Sequence, residues 1–192
     1  TLSDLNLGGG YGVRYTQEDE AIDIPARLAE LGAHLKAAAE KAGLPMPRFL
    51  MEPGRSIVAD AGMTLYTVGS VKRIPGYKQY AAVDGGMTDN PRYALYQSRY
   101  TVYHAHKSGS MERFDVVGRC CESGDIIQPG VELPGDTCRG DILAVCTTGA
   151  YNYSMASNYN RLPCPAVVML TPDRIYEAVR RETFADLTAL DL

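Results

Sequence analysis

The apolar positions of the first 62 residues predict a strand, a helix and a second strand, in that order. A short apolar strand is indicated at residues 4–7, and a Gly-rich stretch follows it directly. From Pro25 to Ala42, leucines recur at three- and four-residue steps, which is typical of an amphipathic helix. Pro25 suits the first turn of that helix, and Gly43 suits the position just after its end. A second apolar strand at residues 49–51 completes the pattern of a parallel βαβ unit.

After Gly62 the pattern changes to short alternating segments that predict strands. These segments are rich in β-branched residues, and each is bounded by Gly, Pro, Asn or Asp. Because no long helix separates them, they indicate an all-β module of the barrel or sandwich type. The tail over residues 182–190 is predicted to form a short helix. The predicted strands are Met63–Ile74, Tyr80–Val83, Tyr100–Tyr103, Arg113–Val117, Asp141–Cys146, Ala166–Leu170 and Ile175–Arg181.

This change of pattern divides the 192 residues into two predicted parts, an α/β piece over residues 1–62 and a β domain over residues 63–192. A short helix over residues 56–61 is expected to end the first part. That part holds only two βα units, whereas a closed (β/α)8 barrel needs eight. The predicted fold class is therefore α/β plus all-β, with the last βα units of a (β/α)8 barrel followed by a C-terminal β-barrel or sandwich-like domain. Since the chain opens at Thr1 without Met, we expect the other βα units to precede it.

Composition and charge narrow the classes of partner. The chain carries a net charge of -4 at pH 7 and no block of Lys and Arg, so we expect no binding to nucleic acid. The longest apolar runs cover only a handful of residues, so we expect neither a membrane span nor a signal peptide. Five cysteines without a C-x-x-C pair indicate free thiols and a reducing, cytoplasmic location.

No metal site is expected from the histidines. His104 and His106 would lie on one face of a strand, but no Cys or carboxylate nearby completes a set of ligands. We therefore expect these two side chains to be exposed strand residues rather than a ligand pair.

Two polar loops carry the first candidate chemistry. Gly8, Gly9 and Gly10 follow the first strand, and Glu52-Pro53-Gly54-Arg55 follows the second. If the two strands are neighbours in a parallel barrel, both loops lie at the rim where βα loops recurrently bind phosphate. The glycines offer backbone N–H groups, and the Gly-Arg pair could close the cradle. The residues alone leave two alternatives open, namely glycines that only permit a tight turn and a Glu–Arg surface pair around a Pro-Gly turn.

Five motifs, taken in order, carry a resemblance to a known family. They are LNLGGGYG, FLMEPGR, VDGGMTDNPRYALY, GRCCESGD and GAYNYSMASNYN. In this order they resemble diaminopimelate decarboxylases, pyridoxal-phosphate (PLP) enzymes of the alanine racemase-like fold, and the resemblance runs to the RRETFADL tail. The Gly-rich and EPGR motifs are shared with ornithine and arginine decarboxylases, whereas CESGD combined with NPR and ASNYN is more specific. The chain is similar to the C-terminal half of such an enzyme.

The resemblance implies PLP as the cofactor. The glycines would hold its phosphate through backbone N–H groups, and Glu52 would keep the pyridine nitrogen protonated so that the ring accepts electrons. Arg55 would lie at the phosphate rim, and Tyr151 would give its hydroxyl to the phosphate. The implied cofactor-binding residues are Gly8, Gly9, Gly10, Glu52, Pro53, Gly54, Arg55 and Tyr151.

The resemblance also implies a reaction, the decarboxylation of meso-2,6-diaminopimelate to L-lysine and CO2 in lysine biosynthesis. Arg92 and Tyr96 would bind the distal carboxylate of the substrate, because a guanidinium fork matches carboxylate geometry. Glu122 would bind the distal ammonium group. Arg55 and Tyr151 would border the substrate as well as the cofactor.

Cys121 is the catalytic residue that the resemblance implies. A thiol with a pKa of about 8.5 carries a proton at neutral pH and releases it readily, so Cys121 would return a proton after CO2 has left. In the family this Cys and the neighbouring Glu come from the partner subunit. The resemblance therefore implies a homodimer whose active site spans the interface.

Each assignment has a simpler structural alternative. Arg92 could merely pair with Asp89, and Cys121 could be a buried residue at a strand end. Tyr151 could belong to a packed aromatic cluster, and Tyr153 is expected in the core or at an interface.

The family keeps the Lys that binds PLP covalently on an early barrel strand, and none of the lysines here matches that motif. They are Lys36, Lys41, Lys72, Lys78 and Lys107. We therefore expect this chain alone to be inactive. Two alternative functions remain, a related PLP-dependent decarboxylase of another basic amino acid or carboxylated polyamine, and a non-catalytic truncated relative that binds a partner.

Overall fold

A computed structural model describes residues 2–192 of the chain. Its α-helices are α1 (Ile24–Ala42), α2 (Arg55–Val58), α3 (Arg92–Tyr96) and α4 (Phe184–Leu187). Its strands are β1 (Asp4–Asn6), β2 (Arg48–Leu50), β3 (Met63–Ile74), β4 (Lys78–Val83), β5 (Val102–His104), β6 (Met111–Val117), β7 (Ile126–Pro134), β8 (Ile142–Cys146), β9 (Val167–Leu170) and β10 (Ile175–Val179). Short 3₁₀ turns lie at Ala59–Ala61, Tyr153–Met155 and Tyr159–Arg161.

The first unit is a pair of parallel strands joined by α1. Strands β1 and β2 pair in parallel with Leu5 opposite Phe49. The Asp23 side chain accepts a hydrogen bond from the Ala26 N–H at the start of α1, and Gly43 adopts a left-handed φ of 63° at its end. The predicted βαβ unit is confirmed, and the helix begins one residue earlier than the pattern indicated.

A six-stranded sheet in the order β5-β8-β3-β4-β6-β7 forms the larger part of the molecule. The long strand β3 pairs with β8 through residues 63–67 and with β4 through residues 68–74, both antiparallel. Strands β4 and β6 are parallel, with Tyr80 opposite Asp115. The edge strands β5 and β7 pack against each other, and the Gln128 side chain of β7 accepts a hydrogen bond from the Tyr100 N–H at 2.8 Å. The sheet is thus a nearly closed barrel.

The inward side chains of this barrel form the hydrophobic core. In β3, β4 and β8 the buried positions alternate, as the period of two in the sequence predicts, whereas register irregularities interrupt the alternation in β6 and β7. The buried core residues are Tyr66, Val68, Ala81, Val83, Tyr100, Val102, Phe114, Val116, Ile127, Val131, Leu133, Leu143 and Val145. A separate antiparallel hairpin, β9 with β10, follows the barrel.

Two elements of the β domain were not predicted. Strand β7 contains Pro129, which lacks an N–H, and Gly130, whose φ is 67°. Both residues are typical of turns, but a Pro is tolerated here because β7 is an edge strand with an irregular register against β6. The short helix α3 follows directly after Pro91.

The prediction for His104 was wrong. This residue ends β5, and its side chain is only 2% exposed. The imidazole Nδ1 accepts the backbone N–H groups of His106 and Lys107 at 3.2 and 2.9 Å, and Nε2 lies 3.1 Å from an Asp141 carboxylate oxygen. His104 therefore closes a turn, and His106 lies beyond the strand.

Two absences are established for residues 2–192. No helix in this range is long and apolar enough to cross a membrane. Within the same range, no group of three His, Cys, Asp or Glu side chains is placed to hold a metal ion.

Candidate functional site

The Gly-rich loop and the EPGR loop meet at the carboxyl ends of β1 and β2. The backbone hydrogen bonds of the strand pair continue past the strand ends, from Leu7 N–H to the Leu50 carbonyl at 3.0 Å and from Glu52 N–H to the Gly8 carbonyl at 2.7 Å. Any side chain on Gly9 would collide with the carbonyl oxygen of Glu52. The close approach of the two loops therefore requires glycine at this position.

This junction leaves backbone donors free and orients one carboxylate. The Gly8 N–H donates to the Asn6 side chain at 2.7 Å, whereas the N–H groups of Gly9 and Gly10 donate no hydrogen bond within residues 2–192. The Asn6 amide in turn donates to a Glu52 carboxylate oxygen at 2.6 Å. Glu52 is thus held by Asn6 rather than paired with Arg55, so the Glu–Arg surface pair is not what the structure contains.

Two arginines lie against the ring of Tyr151. The guanidinium carbon of Arg55 is 5.3 Å from the ring centroid, and that of Arg92 is 5.5 Å from it. Arg92 also lies 5.1 Å from the centroid of Tyr96. Cation–π contacts of this kind contribute about 0.5–2 kcal/mol each. The Tyr151 ring therefore contacts both positive charges and helps to hold them in place.

Within residues 2–192, no carboxylate forms an ion pair with Arg55 or Arg92. Arg92 is only 7% exposed, and its side chain donates a hydrogen bond to the Ser98 hydroxyl at 3.4 Å. The Nε atoms of Arg55 and Arg92 are buried and have no partner within residues 2–192. Because a buried cation without a partner is costly, this pair of guanidinium groups is suited to bind an anion.

Asp89 does not pair with Arg92. Its carboxylate accepts the hydroxyl of Tyr66 and the backbone N–H of Gly86, the latter at 2.9 Å. Burial raises the pKa of Asp89 against the opposing effect of these hydrogen bonds. Burial, together with the charge of Asp89, also raises the pKa of Tyr66 well above its usual value. The alternative of a simple Asp89–Arg92 pair is therefore wrong, and Arg92 remains available for a ligand.

Tyr151 reaches its position beside the two arginines because two chain segments, at Gly62 and at Gly149, pass very close to each other. A side chain on Gly62 would collide with the backbone of Gly149, and one on Gly149 would collide with the carbonyl of Val58 at the end of α2. The Gly149 N–H donates to the Ala59 carbonyl at 3.0 Å, which joins the two segments. Tyr151 then adopts a left-handed φ of 63°, and its hydroxyl lies 3.4 Å from where a Gly54 side chain would begin.

The turn over residues 118–125 is organised by the buried Asp125. Its carboxylate accepts the backbone N–H groups of Met87 and Cys120, each at 2.6 Å. Gly86 and Gly118 leave no space for a side chain beside it. Burial and the nearby Asp125 charge raise the pKa of the Cys120 thiol. Asp125 therefore ties this turn to the loop that presents Arg92.

Cys121 and Glu122 lie on the exposed outer side of that turn. The Cys121 N–H donates to the Asn160 side chain at 2.7 Å, and Glu122 accepts only from its neighbours Ser123 and Gly124. Within residues 2–192, no hydrogen bond or ion pair joins Cys121 or Glu122 to Arg92. Cys121 is exposed, so the alternative of a buried strand-end cysteine is wrong.

The predicted residues thus fall into two groups. The structure brings together the first group, which comprises Gly8, Gly9, Gly10, Glu52, Pro53, Gly54, Arg55, Arg92, Tyr96 and Tyr151. It leaves Cys121 and Glu122 apart from them. Tyr153 is 43% exposed, which is incompatible with a place in the core. Sequence reasoning did not select Tyr15, whose ring lies 5.7 Å from the Arg55 guanidinium, although it stands five residues after the Gly-rich loop.

Comparison with known proteins places this arrangement in context. The curated diaminopimelate decarboxylase of Bacillus subtilis is 48% identical over 190 residues, which are 98% of this chain and 43% of that protein. The solved diaminopimelate decarboxylase of M. jannaschii superposes with a TM-score of 0.92 at 33% identity, over 99% of this chain and 43% of that one. Its complex with L-lysine superposes with a TM-score of 0.91 at 34% identity, over the same shares of the two chains. The chain thus spans less than half the length of these relatives.

The sequence profile of the family described as "Pyridoxal-dependent decarboxylase, C-terminal sheet domain" matches residues 16–149. This range contains the whole of the barrel up to the end of β8 and the loop that carries Arg92. The chain therefore belongs to the pyridoxal-dependent decarboxylases, through their C-terminal sheet domain.

Proposed function

We propose that this chain is part of a PLP-dependent decarboxylase that converts meso-2,6-diaminopimelate to L-lysine and CO2. The observation that carries the proposal is the pair of guanidinium groups, Arg55 and Arg92, which both lie against the Tyr151 ring without a carboxylate partner within residues 2–192. They stand next to a Gly-rich loop with free N–H groups. A phosphate and a carboxylate are the anions that such donors fit.

The residues present fit PLP. The N–H groups of Gly9 and Gly10, with the hydroxyl of Tyr151 nearby, would hold the phosphate, and Gly54 leaves room for it. Glu52, oriented by Asn6, would face the ring nitrogen. When bound, PLP supplies an electron sink for the bond to the departing carboxylate.

Arg92 is the residue on which substrate choice depends. Buried beside Tyr96 and free of Asp89, it is suited to the second carboxylate of diaminopimelate. Lysine, ornithine and carboxylated polyamines lack a second carboxylate, so each would leave this buried cation unpaired, which costs free energy. The M. jannaschii relative was solved in complex with L-lysine, the product of the proposed reaction.

We further propose that the outer turn acts on a neighbouring subunit. Cys121 and Glu122 are exposed and form no hydrogen bond or ion pair with Arg55 or Arg92 within residues 2–192, so in a homodimer each chain would lend them to the other. There the Cys121 thiol would hold the proton that replaces CO2, and Glu122 would bind the distal ammonium group. The βαβ unit would be the last part of a (β/α)8 barrel, and the rest of the polypeptide would supply the Lys that binds PLP, because no lysine of this chain matches that motif.

The complete gene product that contains this chain tests the proposal. With PLP added, it is expected to release CO2 and L-lysine from meso-diaminopimelate, and far less product from L-lysine or L-ornithine. Preferred turnover of L-lysine or L-ornithine would replace the proposal with the related basic amino-acid decarboxylase. A complete protein that binds PLP and turns over none of the three would favour the non-catalytic relative.

A further inference from the structure

Tyr15 lies between Arg55 and the barrel. Its ring centroid is 5.7 Å from the Arg55 guanidinium carbon, which also lies 5.3 Å from the centroid of Tyr151. The same ring meets Tyr100 edge to face, with centroids 5.1 Å apart and an interplanar angle of 80°. It also packs against the hydrophobic core. Tyr15 thus connects a residue of the anion site to the barrel interior.

The backbone of Tyr15 is fixed from both sides. Its carbonyl accepts the Thr101 hydroxyl at 2.9 Å and the Thr101 N–H at 3.3 Å, just before β5 begins. Its N–H donates to the Asp19 carboxylate at 3.0 Å. The barrel and the turn after the Gly-rich loop therefore determine together where the Tyr15 ring lies.

A second path leads from the same ring to Tyr151. The Tyr100 hydroxyl donates to the side-chain oxygen of Asn152 at 3.4 Å, and Asn152 is only 2% exposed. Asn152 follows Tyr151 directly, at the position where the chain leaves its left-handed φ. Burial raises the pKa of Tyr100, so its hydroxyl stays protonated and remains a donor. Tyr15 is therefore connected to Tyr151 in two ways. One is through Arg55, which lies against the Tyr151 ring, and the other is through Tyr100 and Asn152, the residue that follows Tyr151.

We propose that Tyr15 is a positioning residue, which holds Arg55 directly and Tyr151 through Tyr100 and Asn152. This proposal rests on the proposed function, since it concerns how the anion site is kept ready. The aromatic ring performs the role, because the Tyr15 hydroxyl is buried without a partner within residues 2–192.

The physical reason lies in how Arg55 is held. An arginine reserved for an anion cannot be fixed by a carboxylate of its own chain, because that carboxylate would compete with the ligand. Two aromatic faces fix the guanidinium without neutralising it. Removal of one face frees the side chain to adopt other rotamers, and binding of the anion must then restore the lost order.

The test compares Tyr15→Leu, Tyr15→Phe and a control, Phe114→Leu, in the complete gene product. Phe114 is fully buried in the barrel and has no contact with Arg55 or Tyr151. Three quantities are measured: the Kd for PLP, KM and kcat for meso-diaminopimelate, and the rate at which phenylglyoxal labels Arg55. Peptide mapping by mass spectrometry gives that rate, and the exposed Arg27 is the internal reference.

Tyr15→Leu is expected to raise the Kd for PLP or the KM by about tenfold and to speed the labelling of Arg55 several-fold, roughly the loss of one cation–π contact. Tyr15→Phe should keep all three quantities within about twofold of the parent protein, because it retains the ring. Phe114→Leu should lower the unfolding temperature and leave Arg55 labelling unchanged. Equal labelling of Arg55 in Tyr15→Leu and the parent would overturn the proposal.

Tyr100→Phe serves as the second variant if Tyr15→Leu does not fold. It removes only the hydroxyl that Asn152 accepts, so it is expected to raise KM with Arg55 labelling unchanged. An unchanged KM would remove the path through Asn152. If the parent decarboxylates none of the substrates while Tyr15→Leu still speeds Arg55 labelling, the proposed function fails and the positioning role stands.

Discussion

Around the Gly-rich loop, Arg55, Tyr151 and Arg92 form one group, in which the Tyr151 ring contacts both guanidinium groups. On the turn over residues 118–125, in contrast, Cys121 and Glu122 face outward and contact only near neighbours and the Asn160 side chain. The side chains of the first group are held by contacts within one chain. The second group has its backbone fixed and its side chains exposed. In the proposed dimer, the partner subunit would provide the surface that the second group lacks in its own chain.

The largest effect on activity is expected in the second group, at Cys121. Cys121→Ala in the complete protein should lower kcat by about 10³, with little change in KM, because it removes a proton donor rather than a binding group. Steady-state release of CO2 measures both constants. The control is Cys138→Ala, an exposed cysteine at the turn before β8. A similar kcat for Cys121→Ala and the parent would show that the thiol carries no catalytic proton.

A mixing experiment then tests whether the two groups come from different subunits. Cys121→Ala and Arg92→Ala are unfolded, combined and refolded together, and activity is measured at a substrate concentration near the parent KM, where each variant alone is nearly inactive. If one site uses both chains, mixed dimers contain one intact site, and about a quarter of the parent activity should return. Mixed dimers that form without regaining activity would place both groups in one chain.

The next largest effect is expected in the first group, at the Gly-rich loop. Gly9→Ala should weaken PLP binding by about 100-fold, because the new side chain forces the Gly-rich loop away from the Glu52 carbonyl. The matched control is Gly32→Ala in α1, where an added side chain meets nothing and should stabilise the helix by roughly 1 kcal/mol. PLP titration monitored by absorbance gives the two affinities. If Gly9→Ala and Gly32→Ala bound PLP with equal affinity, the junction of the two loops would not be the phosphate site.

Arg92→Ala should raise KM for meso-diaminopimelate by about 100-fold. This factor corresponds to the roughly 2–3 kcal/mol that a hydrogen bond to a buried charged group contributes. The matched control is Arg99→Ala, an exposed arginine on the same connection that faces Glu18 at 3.7 Å. Initial rates over a range of substrate concentrations measure KM. If both variants kept the parent KM, the proposed substrate would lose its main support.

The smallest effect on activity is expected at Asp141, which belongs to neither group and is expected to affect stability instead. Burial acts to raise the pKa of Asp141, but hydrogen bonds from Lys107, Cys138 and His104 together hold it well below its usual value. A lowered pKa in the folded state stabilises the protein above the unfolded-state pKa of about 3.9, and this contribution is lost as the pH falls further. Asp141→Asn should lower the unfolding free energy at pH 7 by about 1 kcal/mol and flatten its decline below pH ~4.

Thermal unfolding between pH 3 and pH 7 measures this dependence, and the activity measured at pH 7 should equal that of the parent. Lost activity at unchanged stability would contradict the separation of this cluster from the site. Asp141 and its partners Lys107, Cys138 and His104 therefore provide a reference for changes that affect the barrel alone.

Several features of the fold were predictable because local signals agree with the tertiary structure. Pro25, Gly43 and the leucine spacing determine α1, and alternation determines β3 to its two ends. Strand β7 was not predictable, because Pro129-Gly130 has the composition of a turn and only its edge position makes a strand possible. Barrel closure depends on Gln128 meeting the Tyr100 N–H, a contact between distant residues that no local pattern reports.

The site was predictable in its residue types and not in its arrangement. The motifs indicate Arg55, Arg92 and Tyr151, but sequence spacing does not show that one tyrosine ring contacts both arginines. Asp89 is a nearby acid in the sequence and a plausible partner of Arg92, yet its bond to Tyr66 depends on the packing of β3. Tyr15 was missed because its role comes from contact with Tyr100, 85 positions along the chain.

The parallel pairing of β4 with β6 has a consequence for how this domain can diversify. Parallel neighbours cannot be joined by a tight turn, so the chain between Val83 and Met111 must cross the barrel end, and it carries α3 and β5 on its way. The register of Tyr80 with Asp115 does not depend on how long that crossing is. Insertions and substitutions there can change which molecules the domain accepts while its scaffold stays intact, so new substrate preferences can evolve without a new fold.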